Sequence, residues 1–198
     1  MSMHWTDEAL MAAVRGGDID QLEILFDRYR EPLYDFFSRL TGNRVISEDL
    51  VQEVFVRILK YRSTYQESSR FVTWMYQIGR NARADYLRKH KIIPLEEHPF
   101  TSPEDDITPS RQLEAREEMA LLQCALMQTS DSNRELLILA RYQEMKYEDI
   151  ADLLGLPLGA VKTRVYRATK ELREAFLKLR SNTSSCSAAK SKTTLPTT

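Results

Sequence analysis

Apolar residues return at helical spacing over most of the chain. Leu22, Leu25, Phe26, Tyr29, Leu33, Phe36 and Leu40 recur at steps of three and four, one face of an amphipathic helix. Asp18 and Asp20 supply its N-terminal cap and first-turn acid. Pro32 predicts a kink or restart inside it, and Gly42-Asn43 its end. Ser47 is placed to cap a second helix, with Glu48 and Asp49 in its first turn. Leu50, Val51, Val54, Phe55, Ile58 and Leu59 form that helix's apolar stripe. A polar loop spans Tyr61 to Arg70. A third helix then runs from Phe71 to His90, with Phe71, Trp74, Met75, Ile78, Ala82 and Tyr86 inward.

The pattern lapses between Pro94 and Ser110. This stretch holds four prolines and five acids but no Lys or Arg, and predicts an extended, mobile linker. Helical spacing resumes at Leu113 and runs to about Met127. Ser132-Asn133-Arg134-Glu135 has the form of a capping box, opening a helix that continues through Tyr142. Tyr147 to Leu154 is a short helix, Gly155-Leu156-Pro157 a turn, and Leu158 to Arg180 a long helix. Ten of the eighteen residues from Ser181 to Thr198 are Ser or Thr, which predicts a disordered tail. The expectation is an all-α chain of two small helical domains, residues 1–93 and 113–180. A flexible acidic linker, 94–112, joins them, and a tail, 181–198, follows.

Composition agrees: six Gly and seven Pro in 198 residues are few for an all-β fold built on turns. The net charge of −1 hides segregation. Residues 54–93 carry nine bases and two acids, residues 158–180 seven and two, and residues 94–118 two and eight. Two basic patches around an acidic stretch suit two contacts with a polyanion. No apolar run approaches the ~18–20 residues of a membrane span, and the first ten residues do not read as a secretory signal. Cys124 and Cys186 make neither a disulfide framework nor a metal site alone, so a reduced, cytoplasmic chain is expected. Enzyme chemistry finds no support: there is no phosphate-cradling Gly loop or metal-ligand spacing, and His4, His90 and His98 have no evident partners. No cofactor is expected.

The segment Tyr147 to Val161 is a helix, a tight turn and a second helix. Gly155 supplies the left-handed turn residue and Pro157 leads into the second helix. This is the layout of a DNA-binding helix-turn-helix, whose second helix enters the major groove. With Lys162 as zero and about 100° per residue, Val161, Val165, Ala168, Leu172, Phe176 and Leu179 fall roughly between 240° and 320°. Lys162, Thr163, Tyr166, Arg167 and Lys170 fall roughly between 0° and 140°, on the opposite face. Such side chains reach phosphates, guanine edges and thymine methyls.

In the N-terminal half, Tyr65, Phe71, Trp74, Tyr76 and Tyr86 are interleaved with Arg70, Arg80, Arg83, Arg88, Lys89 and Lys91. Aromatics among bases suit single-stranded nucleic acid, where each stack is worth ~1–3 kcal/mol. Phe71, Trp74 and Ile78 read as core. Tyr65, in the polar loop, has a weaker structural role, and Asn81 can hydrogen-bond a base edge. Asp49, Gln52 and Glu53 share the polar side of the second helix.

In these segments the sequence resembles bacterial sigma factors of the extracytoplasmic-function group over about residues 20–178. The resemblance rests on Ser47–Phe55, on Phe71–Asn81 with Asp85, Leu87 and Arg88, on Arg134-Glu135, and on Tyr147–Ala151 through Gly159–Arg164. It implies core RNA polymerase as partner, met at its clamp helices and flap, with Asp49, Gln52 and Glu53 on the clamp helices. It implies that the Tyr61–Phe71 loop and the helix after it read the minus-ten element. Tyr65 and Asn81 would lie at the pocket for a flipped base, with Trp74 beside them and Arg80 and Arg88 on phosphates. It implies that Lys162, Thr163, Tyr166 and Arg167, with Arg164 and Lys170, read duplex minus-thirty-five DNA. An anti-sigma factor would hold the chain inactive. The competing reading, a polymerase-independent helix-turn-helix regulator, leaves the aromatic–basic N-terminal half without a role.

Overall fold

The computed structural model describes residues 5–90 and 109–190, with side chains from 5 to 90 and from 116 to 181. All regular elements among them are helical. Helix α1 spans Asp7–Gly16, α2 Gln21–Thr41 and α3 Arg44–Tyr61. After a single 3-10 turn, Arg62–Thr64, come α4, Phe71–His90, and α5, Pro109–Gln128. Helix α6, Asp131–Leu137, runs on into a π turn, Ile138–Tyr142. Helices α7, Tyr147–Leu154, and α8, Leu158–Lys190, complete the chain.

Helices α1 to α4 form the first bundle. Leu10, Met11 and Val14 of α1 close it against Leu25, Leu33, Phe36 and Phe37 of α2, Leu50, Val54 and Ile58 of α3, and Phe71 and Met75 of α4, all essentially without solvent exposure. Burying each such side chain is worth ~1.5–3 kcal/mol, so this stripe, rather than helix propensity, holds the bundle. Helix α4 approaches closely because position 79 is glycine: a Cβ there would lie 3.2 Å from the Phe37 ring. The second bundle packs α5 to α8 around Leu126, Leu136, Leu137, Ile150, Val161, Val165 and Ala168.

The α7–α8 turn forms as its residues dictate: Gly155 has φ +62° and its N–H returns to the Asp152 carbonyl. Several boundaries differ from the sequence expectation. Helix α1 was not anticipated; Thr6 caps it through the Ala9 N–H, at 3.2 Å. Pro32 neither ends nor restarts α2, which is continuous through it. Asn43, not Ser47, caps α3 at the Ile46 N–H; Ser47 is buried one turn in and donates to the Asn43 carbonyl at 2.6 Å. Ser130 caps α6 instead of Ser132, and Glu135 points away from the cap to bond Arg80. Helix α5 starts at Pro109, inside the segment expected as linker, and the rest of that linker lies outside the described residues. Helix α8 runs ten residues past Arg180, so 181–190 is helical, whereas a disordered tail was expected; 191–198 lies outside the described residues. No helix among the described residues is long and apolar enough to cross a membrane.

Candidate nucleic-acid interface

The long helix α8 keeps the face arrangement read from its sequence. Val161, Val165 and Ala168 are buried, while Lys162, Thr163, Tyr166, Arg167 and Lys170 are exposed. Tyr166 is 74% exposed, unusual for so large a ring. Thr163 donates its hydroxyl to the Gly159 carbonyl at 2.9 Å. Arg164 departs from this set: it sits at the edge of the face, and its guanidinium donates to Ser132 Oγ at 2.6 Å. Its first job here is to tie α8 to the start of α6.

The loop before α4 is built around Tyr65. Its ring is 1% exposed and packs 5.2 Å from Trp74 and 6.4 Å from Phe71, centroid to centroid. Its hydroxyl donates to the Ser69 carbonyl at 2.9 Å, closing the loop on itself. Burial, with Glu8 and Glu67 nearby, pushes the phenol up to about 12. Tyr65, expected at the pocket for a flipped base, is in this structure the loop's internal strut, its ring enclosed beside Trp74 and Phe71. Trp74 is half-buried in the same aromatic cluster. The side chains facing outward on the loop are Gln66, Glu67, Ser68, Ser69 and Arg70.

Along α4, Asn81 is exposed and accepts from Gln77 Nε2 at 3.2 Å, so it remains on an open polar ridge. Arg88 is exposed near the helix end and donates to Asp85. Asp85 also accepts from Arg57 at 2.8 Å, and Arg57 bonds Glu53 at 2.6 Å. The Arg57 hydrogen bond holds the Asp85 carboxyl below the usual carboxylate range. Glu53 is therefore partly committed to its own helix, while Asp49 and Gln52 are exposed on the outer side of α3. An open groove lined by Phe26, Arg30, Tyr34, Glu48, Val51 and Gln52 runs between α2 and α3 beside them.

Three bases of α4 and the loop before it point at the second bundle. Arg80 donates to Glu135 at 2.8 Å and to the Leu153 carbonyl at 3.0 Å. Arg83 makes a two-pronged pair with Asp131, at 2.9 and 2.5 Å. Arg70 bonds Asp149. The buried Tyr76 hydroxyl donates to Gln143 Oε1 at 2.6 Å. The Arg83 hydrogen bonds hold Asp131 below its ordinary value. Sequence reasoning missed this acidic face. Glu135 reads locally as the far end of a capping box and Asp131 carries no local signal, and each acid's partner lies 48 to 79 residues away.

One guanidinium joins the bundles from inside. Arg134, 9% exposed, donates to the carbonyls of Leu126, Met127 and Thr129 at the end of α5 and of Leu40 at the end of α2, at 2.7 to 3.2 Å.

Comparison with known proteins places both bundles. The family model "Sigma-70 region 2" matches residues 25–92 and "Sigma-70, region 4" matches residues 112–172. The chain is 30% identical over 167 residues to the RNA polymerase sigma factor CarQ of Myxococcus xanthus, across 83% of this chain and 94% of that one. It is 27% identical to the ECF RNA polymerase sigma factor SigW of Bacillus subtilis, across 81% and 91%. Among solved structures it resembles the sigma factor RpoE of Bartonella quintana, solved in complex with the anti-sigma factor NepR. There the TM-score is 0.62 and the identity 25%, over 79% of this chain and 96% of that one.

Proposed function

The chain belongs to the extracytoplasmic-function sigma factors, and from that premise we propose how its surfaces divide the work of directing core RNA polymerase to promoters and opening them. The observation that carries the division is the separation of faces: α8 turns a basic, hydrogen-bonding side to solvent, while α4 carries its bases beside an aromatic loop. Lys162, Thr163, Tyr166, Arg167 and Lys170 read the minus-thirty-five duplex in the major groove, Lys162 and Lys170 at phosphates. Asn81 meets an extruded base at its edge, and Arg80 and Arg88 hold phosphates of the same strand. Asp49 and Gln52, with Glu53 beside them, dock on the polymerase clamp, and the α2–α3 groove receives an apolar side chain from it.

The interbundle ion pairs add a condition. Arg80 is occupied by Glu135 in this conformation, so minus-ten contact requires the two bundles to part. Polymerase docking would supply that separation by holding the halves at distant promoter elements. An anti-sigma factor, as partner, would act by keeping the closed arrangement.

Arg167→Ala weakens minus-thirty-five recognition by ~1–3 kcal/mol if the guanidinium reads a base. Competition binding of the polymerase complex to promoter duplexes with each base substituted checks this; unchanged preference removes Arg167 from the reading set. The Gln52→Ala/Glu53→Ala variant lowers the yield of polymerase in co-purification, and full retention excludes this side of α3. The reading as a whole is tested by run-off transcription with purified core enzyme on a library of genomic promoters. Transcripts that depend on added chain support it. Tight operator binding without any dependence of transcription on the chain favours the polymerase-independent regulator.

A further inference from the structure

Helix α1 lies before the region 2 match, yet its polar side chains end on the loop that precedes α4. Arg15 Nη1 donates to the Tyr65 carbonyl at 3.1 Å and its Nη2 to Glu67 Oε1 at 2.5 Å. Glu8 Oε1 accepts the backbone N–H of Phe71, the first residue of α4, at 3.3 Å. That N–H is one of the four that a helix start leaves unpaired, and a carboxylate there also suits the helix dipole. The same helix is anchored below by Leu10, Met11 and Val14, and beside by Asp7, which bonds Arg28 and Tyr29. A rigid element therefore grips the loop at Tyr65, at Glu67 and at its exit into α4, while Tyr65 and Trp74 fill it from inside.

From this geometry we infer that α1 is a positioning element for minus-ten recognition, with Arg15 and Glu8 fixing the shape of the 65–71 loop on which base capture depends. The inference rests on the proposed minus-ten role of this loop and of α4. Neither residue touches DNA. Each acts through the loop, whose geometry a recognition site must hold to within about 0.5 Å.

The test uses the full chain with Arg15→Ala, Glu8→Ala, which removes the acceptor of the Phe71 N–H, and the conservative Arg15→Lys. Amide hydrogen exchange of the free chain at residues 65–71 is expected to quicken about tenfold or more in the first two, as local opening no longer breaks these bonds. With core polymerase on a transcribed promoter, permanganate reactivity of minus-ten thymines falls, and preference among the four bases at the captured position flattens. Core co-purification and minus-thirty-five duplex binding stay within about twofold, and Arg15→Lys, which keeps the charge on a single donor nitrogen without the fork, recovers part of the preference. Unchanged exchange at 65–71 overturns the brace itself. Faster exchange with unaltered base preference overturns its link to recognition. If the wild-type chain opens no promoter with core enzyme, the minus-ten reading fails and takes the recognition role of α1 with it; the exchange data then still decide whether α1 holds the loop.

Discussion

Replacing Arg134 by methionine lowers the free energy of unfolding by about 3 kcal/mol or more, the largest stability effect expected of any single polar side chain here. Four carbonyls, three of them in buried bonds, accept from this guanidinium: Leu126, Met127 and Thr129 at the end of α5, and Leu40 in the last turn of α2. Helix C-termini leave such carbonyls unpaired and gather negative potential, so one cation with five donors in a fork satisfies two helix ends together. Methionine fills similar volume but offers no donor: Leu126 keeps its bonds from the Thr129 N–H and hydroxyl, while the Met127, Thr129 and Leu40 carbonyls lose the guanidinium. Lysine keeps the charge but presents it as a point, so Arg134→Lys also loses stability, though less. Burial draws the Arg134 pKa down, yet from a value so high that the group stays charged at working pH. Urea unfolding followed by circular dichroism measures the change. A change in unfolding free energy of only a few tenths of a kcal/mol in Arg134→Met would show that the carbonyls find other donors.

The second large effect runs the other way, toward gain of binding. Asp131→Asn, Glu135→Gln and Asp149→Asn together remove the acids facing Arg83, Arg80 and Arg70. Partly exposed ion pairs contribute ~0.2–1 kcal/mol each, so three of them place ~0.6–3 kcal/mol on the closed arrangement. The free triple variant therefore binds a single-stranded minus-ten oligonucleotide about tenfold more tightly than the wild type, a change of ~1.4 kcal/mol. Fluorescence anisotropy with a labelled non-template strand measures this. The lowered pKa of Asp131 gives the pH sign. A depressed carboxylate stabilises the closed state fully above its unfolded value near pH ~4, and that contribution is lost as pH falls through the folded value. Acidification below about pH 4 thus loosens the bundles in the wild type and has less effect in the triple variant. Equal oligonucleotide affinities for the two proteins would mean that the acids do not compete with DNA.

Local rules made some of this architecture legible. Gly155 and Pro157 mark the turn before α8, and the face of α8 follows from a 3.6-residue period alone. The limits of α4 were readable for the same reason. Tyr65 was not: a tyrosine in a polar stretch reads as exposed, and its burial depends on α1, which covers it, and on Phe71 and Trp74, which receive it. Helix α1 was missed because its ten residues bury only Leu10, Met11 and Val14, too short a stripe to stand out. Glu135 shows a different failure. Its spacing from Ser132 fits a capping box, but a fully charged partner, Arg80, outcompetes a backbone N–H for its carboxylate. Interbundle pairing depends on tertiary position, and no local pattern encodes it.

The central claim is that this chain opens minus-ten DNA only as part of the polymerase complex. Permanganate footprinting on a promoter drawn from the run-off library tests it most directly, with the chain alone, core enzyme alone, and both. The account predicts reactive minus-ten thymines with both components and none with either by itself, and a marked loss with Asn81→Ala while duplex binding persists. Polymerase that co-purifies with the chain yet leaves every thymine unreactive would contradict it, as would opening by the chain without polymerase.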